Sequence, residues 1–148
     1  MEQRQILSTH LQSEGKHAKK LWLEAPGSIY HPRLTEEMMR QGRRYPSMDG
    51  RSVFKHAVEL FQEVIGEALE ANQLGIEDVD LLILHQANLR ISEALTQALG
   101  IPAQKVFNNI QRYGNTTAAS VPIALDEAVK EERLKTGDIW DRSVNTTS

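Results

Sequence analysis

The chain contains no cysteine. Disulfides, thiolate metal sites and a cysteine nucleophile are therefore excluded within its 148 residues. Aromatic residues are scarce at 5%, and two tryptophans are too few for a stacking surface. Positive charge is not in excess: 17 Lys and Arg against 20 Asp and Glu leave a net charge of -3. No general basic field exists to attract nucleic acid. No apolar run approaches the ~20 residues that cross a bilayer, so no membrane partner is expected. The opening MEQRQ is polar, unlike a secretory leader, and a cytoplasmic setting is the default expectation. His10, His17, His31 and His56 show no ligand spacing of the HxxxH kind, so neither metal nor cofactor is expected. What remains is ordinary for a globular chain: 40% hydrophobic and 25% charged residues, enough for one packed domain.

Alternation of apolar and polar residues in ILSTHLQSEG (6–15) and LWLEAPG (21–27) predicts a two-stranded pairing. Residues 25–51 hold three prolines, three glycines and many charges. They read as a long irregular segment with a short helix around LTEEMMRQ. Phe54, Ala57, Val58, Phe61, Val64, Ile65, Ala68 and Leu69 recur at helical spacing, with Ser52 or Asp49 as cap. VDLLILH (79–85) suits a strand buried on both faces. Asn88 is placed to cap a second helix that Gly100 ends. KVFNNI (105–110) reads as another strand. Thr116 or Thr117 opens a third helix with Ala118, Val121, Leu125, Ala128 and Val129 inward, and Pro122 is tolerated in its first turn. KTGD (135–138) is a turn, after which a strand is due, yet DRSVNTTS is polar and carries no such signal. Alternating strands and helices predict an α/β layered fold.

His85 lies at the carboxyl end of one predicted strand, and Asn115 follows Gly114 in the turn after the next. In open α/β sheets ligands collect at strand carboxyl ends. A neutral imidazole donates one hydrogen bond and a carboxamide two. Two such donors aimed at one oxygen would stabilise an enolate or a tetrahedral oxyanion. Histidines at strand ends and asparagines in turns are, however, most often structural. Ser120 in TTAAS is read as a small residue that permits close packing rather than as a nucleophile.

HQANLRI (85–91) with RYGNTTAASVPIALDEAV (112–129) resembles the C-terminal half of the 3-oxoacyl-[acyl-carrier-protein] synthase III family. ILSTHLQSEG and MDGRSVFKHAVEL resemble segments of the same family in the same order. The resemblance implies one half of a thiolase-like αβαβα layered fold, covering 1–139, with a divergent tail at 140–148. It implies an acyltransferase of fatty acid biosynthesis. A cysteine in the first half takes an acyl group from a CoA thioester, and malonyl-carrier protein then loses CO2 and attacks that group. His85 and Asn115 match the family's decarboxylating pair, with His85 neutral, donating through Nε2 and keeping Nδ1 as a free acceptor. Gln86, Ala87, Asn88, Leu89 and Arg90 match its acyl-carrier-protein contact, where Arg90 offers a guanidinium to an acidic partner.

The chain departs from the family in lacking the cysteine, which belongs to an N-terminal half, and the glycine-rich segment near the family's C-terminus. It reads as a truncated or split C-terminal portion, inactive alone, with an exposed apolar face that calls for a homodimer or the missing half. The alternatives are a non-catalytic remnant or partner subunit that binds acyl carrier protein or an N-terminal half, and a condensing enzyme of specialised metabolism with the same fold.

Overall fold

The structure, a computed structural model, describes residues 6–143. By contacts the chain divides into two compact units, residues 13–56 and the remainder. The single domain expected over 1–139 thus contains a second compact unit of its own.

In the larger unit the central element is β3, Leu81–Leu84, buried at all four positions. It pairs in parallel with β4, Val106–Phe107, on one edge and with β5, Trp140–Ser143, on the other. Successive side chains of a strand face opposite ways. Leu82 and Leu84 therefore join Phe61 and Ile65 of α2 (Gly50–Ala71) and Leu95 of α3 (Leu89–Leu99). Leu81 and Ile83 join Phe107 and, from α5 (Ser120–Lys130), Val121, Ala124 and Ala128. Helices cover both faces of the sheet, which is the α/β layering the alternation predicts. The β3–β4 connection runs through α3 on one face, and the β4–β5 connection through α5 on the other. Parallel crossovers that run in opposite directions along a sheet and keep the same hand must lie on opposite faces.

Local chemistry sets the helix ends. Asp49 Oδ1 accepts from the N–H of Ser52, so Asp49 is the cap of α2. Asn88 Oδ1 accepts from the N–H of Arg90 at the start of α3. Gly100 closes α3 in the left-handed conformation at φ 66°, where its N–H reaches back to Gln97 and Thr96.

Three expectations are corrected. Leu21–Trp22 (β1) forms a strand but pairs with Ser47–Met48 (β2), not with residues 6–15. The alternating pattern at 6–15 finds no sheet to lie on, and Leu11 stays 97% exposed. In α5 the inward stripe is Val121, Ala124 and Ala128, while Ala118 and Val129 are exposed. The helix starts at Ser120, later than Thr116 or Thr117, so Ala118 falls in the preceding 3-10 turn, while Leu125 packs partly buried against the core. The polar tail supplies β5 from Trp140 onward, held by parallel pairing with β3 and by Trp140, which packs against the cluster of Leu81, Ile83 and Phe107. Residues 144–148 of the tail lie outside the described residues.

The smaller unit, residues 13–56, has Ala25 as its one fully buried apolar side chain among the described residues. It is tied by polar contacts: Arg43 Nη1 and Tyr30 Oη both donate to Glu24 Oε1, at 3.1 and 2.9 Å. The expected short helix is present as α1, Glu36–Arg40, capped by Thr35. No described helix is long and apolar enough to cross a membrane.

Leu95 is wholly buried against the sheet. Leu95→Ala is expected to cost about 2–5 kcal/mol of unfolding free energy. Leu89→Ala, at a side chain 40% exposed one turn and a half earlier, should cost far less. Urea unfolding followed by circular dichroism measures both.

Candidate functional site

Because α3 and α5 cover opposite faces, the chain leaves β3 and β4 in opposite directions at their carboxyl ends. In open α/β sheets such a divergence between neighbouring strands is the place where ligands collect. His85 is the first residue after β3. Beyond β4 comes α4, Ile110–Tyr113. Gly114 ends α4 at φ 67°, ψ -160°, a backbone state open to glycine alone, and Asn115 follows at once.

His85 is half-buried, and its Nδ1 lies 2.6 Å from Ser120 Oγ. Ser120, 2% exposed, also receives the backbone N–H of Gln86 at 3.1 Å. A hydroxyl has one proton to give. The Gln86 N–H takes one of the two Oγ lone pairs, and His85 Nδ1 is the one acceptor in reach of the Ser120 proton among the described residues, so the buried hydroxyl is satisfied as a donor only when it donates to Nδ1. Nδ1 is then the acceptor, and the ring carries its own proton on Nε2. This corrects the expectation of a free Nδ1: that atom is occupied, and its occupant selects the tautomer with a donating Nε2–H. Burial also pushes the His85 pKa below its ordinary value of 6.5, which favours the neutral ring. Ser120, read from the sequence as a packing residue, is the one that orients His85. Its position at the first turn of α5 opposite His85 is a tertiary fact with no local signal.

Asn115 is exposed, and its Oδ1 accepts from the N–H of Thr117 at 2.9 Å. That bond identifies which end of the carboxamide is oxygen. The NH2 end has no partner among the described residues. Thr117 itself sits at φ 53°, a strained conformation for a β-branched residue, and the Asn115 side chain is what braces the turn.

Of the five residues expected to meet a carrier protein, Gln86 is withdrawn. It is 4% exposed, and its carboxamide is fully used. Nε2 donates to Leu84 O at 2.9 Å and Phe107 O at 3.4 Å; Oε1 accepts from the N–H groups of Asn109 and Ile110 at 3.0 and 3.2 Å. Those bonds draw the chain out of the sheet after Phe107, which is why the strand expected over 105–110 shortens to two residues. Ala87 is half-buried, Asn88 serves as helix cap, and Leu89 and Arg90 are exposed at the start of α3. A separate groove of 630 Å³ runs along α3, lined by Leu89, Ser92, Thr96, Ile101 and Val106, and includes neither His85 nor Asn115.

The tautomer can be read directly. In 15N spectra of the imidazole, His85 is expected as the Nε2–H form, with a midpoint below 6.5. Ser120→Ala should mix the two tautomers while the other histidines stay unchanged. A His85 ring already protonated on Nδ1 in the unmutated chain would refute the assignment.

Known proteins share the sequence and the fold of this chain. The family profile described as 3-oxoacyl-[acyl-carrier-protein] synthase III, C terminal, matches residues 69–140. The beta-ketoacyl-[acyl-carrier-protein] synthase III of Roseiflexus castenholzii is 45% identical over 133 residues, which are 90% of this chain and 40% of that protein. The crystal structure of the 3-oxoacyl-[acyl-carrier-protein] synthase III of Aquifex aeolicus superposes with a TM-score of 0.79 at 42% identity, over 94% of this chain and 40% of that one. The beta-ketoacyl-[acyl carrier protein] synthase III of Thermus thermophilus gives a TM-score of 0.78 at 36% identity, over 92% of this chain and 41% of its own. The chain therefore spans about 40% of the length of the curated relatives it matches. By sequence and by fold it belongs to the 3-oxoacyl-[acyl-carrier-protein] synthase III family, within the thiolase-like fold, and corresponds to that family's C-terminal part.

Proposed function

We propose that this chain carries the decarboxylating pair of a fatty-acid-initiating acyltransferase, with malonyl-carrier protein as the substrate it acts on. The observation that supports it is the Ser120 hydroxyl turned to His85 Nδ1. A ring so held offers Nε2–H to a substrate oxygen. Asn115, whose Oδ1 is occupied by Thr117, offers its NH2 from the neighbouring turn. If both donors meet the thioester oxygen of a malonyl group, they stabilise the enolate that forms as CO2 leaves. Neither residue removes a proton: the carboxylate of malonate supplies the electron pair, and the two donors hold the charge that results.

The acyl-transfer half of the reaction needs a nucleophile that this cysteine-free chain does not contain. Complete condensation would take a cysteine from another polypeptide or from further chain. Exposed apolar side chains in the larger unit, Ile6 at 83% and Leu11 at 97%, favour such an assembly over a lone active monomer. For the carrier we keep Ala87, Asn88, Leu89 and Arg90. The guanidinium of Arg90 at the exposed start of α3 suits a phosphopantetheine phosphate or an acidic helix.

The test is CO2 release from malonyl-CoA. His85→Ala and Asn115→Ala are each expected to lower the rate roughly 100- to 1000-fold, the usual loss for one oxyanion donor. The rate should be constant where His85 is neutral. It should fall as pH drops through the His85 midpoint, below 6.5, because the imidazolium must break the bond from Ser120. Equal rates for the three proteins would refute the proposal.

A further inference from the structure

We propose that Glu14, His17 and His56 form a binding site for a first-row divalent cation, with zinc(II) the expected occupant. The three belong to the smaller unit and take no part in the His85 site. One ligand atom from each lies within 4.8 Å of the others. The linear sequence hides the cluster, since His56 stands 39 positions beyond His17 in the numbering.

Local structure brings the donors together. Glu14 precedes the 3-10 turn Gly15–Lys20, and the N–H of His17 bonds to the Glu14 carbonyl at 3.0 Å. Residues three apart eclipse in such a turn, so both side chains project from one edge. His56 comes from the second turn of α2, and its ring centroid stands 3.9 Å from that of His17. His17 Nε2 is 3.4 Å from Glu14 Oε2. Two ligands about 2.0–2.1 Å from a tetrahedral zinc are themselves roughly 3.3–3.5 Å apart, so this edge already has the spacing of a chelate. For an ion to bind, the remaining spread, up to 4.8 Å, must close as the two imidazoles turn out of their tilted ring contact. Lys16 Nζ donates to the other carboxylate oxygen, Oε1, at 2.7 Å, which aims Oε2 at His17 as an outer-shell partner does.

The donor set selects the ion. Two imidazoles and one carboxylate suit zinc, copper or nickel, whereas calcium and magnesium call for oxygen ligands throughout. Three protein ligands leave a fourth position for water, and the partial exposure of the cluster admits the ion.

The test is a titration of the 148-residue chain with zinc(II) against a chromophoric chelator, paired with the visible spectrum of cobalt(II). One tight equivalent and a tetrahedral cobalt spectrum are expected. His17→Ala, His56→Ala and Glu14→Gln should each weaken binding at least tenfold, with far-UV circular dichroism unchanged. His31→Ala should leave it intact, and excess magnesium should not compete. Equal affinity for the unmutated chain and all three cluster variants, or loss of binding in His31→Ala alone, overturns the site. Neither readout depends on malonyl-thioester chemistry, so the outcome is separate from that of the decarboxylation test.

Discussion

A strand with parallel neighbours on both edges has no solvent face, and Leu81–Leu84 is such a strand. Each of its faces needs its own helices, and the chain must cross from one face to the other to provide them. α3 and α5 do so, and the chain leaves the carboxyl ends of β3 and β4 toward opposite faces of the sheet. The position of His85 and Asn115 is thus a consequence of burying four apolar residues. The same geometry explains why the exit from β3 is polar: LLIL is followed at once by His85 and Gln86, the two residues that deal with the end of the sheet.

Those two residues divide the work. Gln86 turns inward and closes the ends of β3 and β4 with four hydrogen bonds from one carboxamide. Its backbone N–H meanwhile donates to Ser120 Oγ, the same hydroxyl that meets His85 Nδ1. An apolar residue at 86 would orphan two buried N–H groups, each worth about 1–3 kcal/mol. The stability of the sheet end and the chemistry of the imidazole therefore share one network.

The chain is matched across about 40% of the length of its relatives, and its two units differ in what holds each together. The larger unit buries its sheet well yet leaves Ile6 and Leu11 in contact with solvent. The smaller unit depends on polar ties around Glu24 more than on a core. A cation held by Glu14, His17 and His56 would add a cross-link there, joining the 3-10 turn to the first part of α2, where apolar burial contributes little.

Where short-range pattern carries the information, the sequence alone determined the outcome. The buried strand over 81–84, the cap at Asn88, the stop at Gly100 and the helix over 50–71 were all legible, because periodicity and capping act within one or two turns. The strand end before His85 and the Gly114 turn before Asn115 were legible for the same reason, since each is a local signal. Tertiary structure alone decided the partners. It paired Leu21–Trp22 with Ser47–Met48, drew a strand from the polar residues after Ile139, buried Gln86 and set Ser120 against His85. Each of these joins segments at least 21 residues apart or depends on which sheet edge remains open. Hydrogen bonds over such distances are chosen by the packing of whole layers, and no window of residues records that choice.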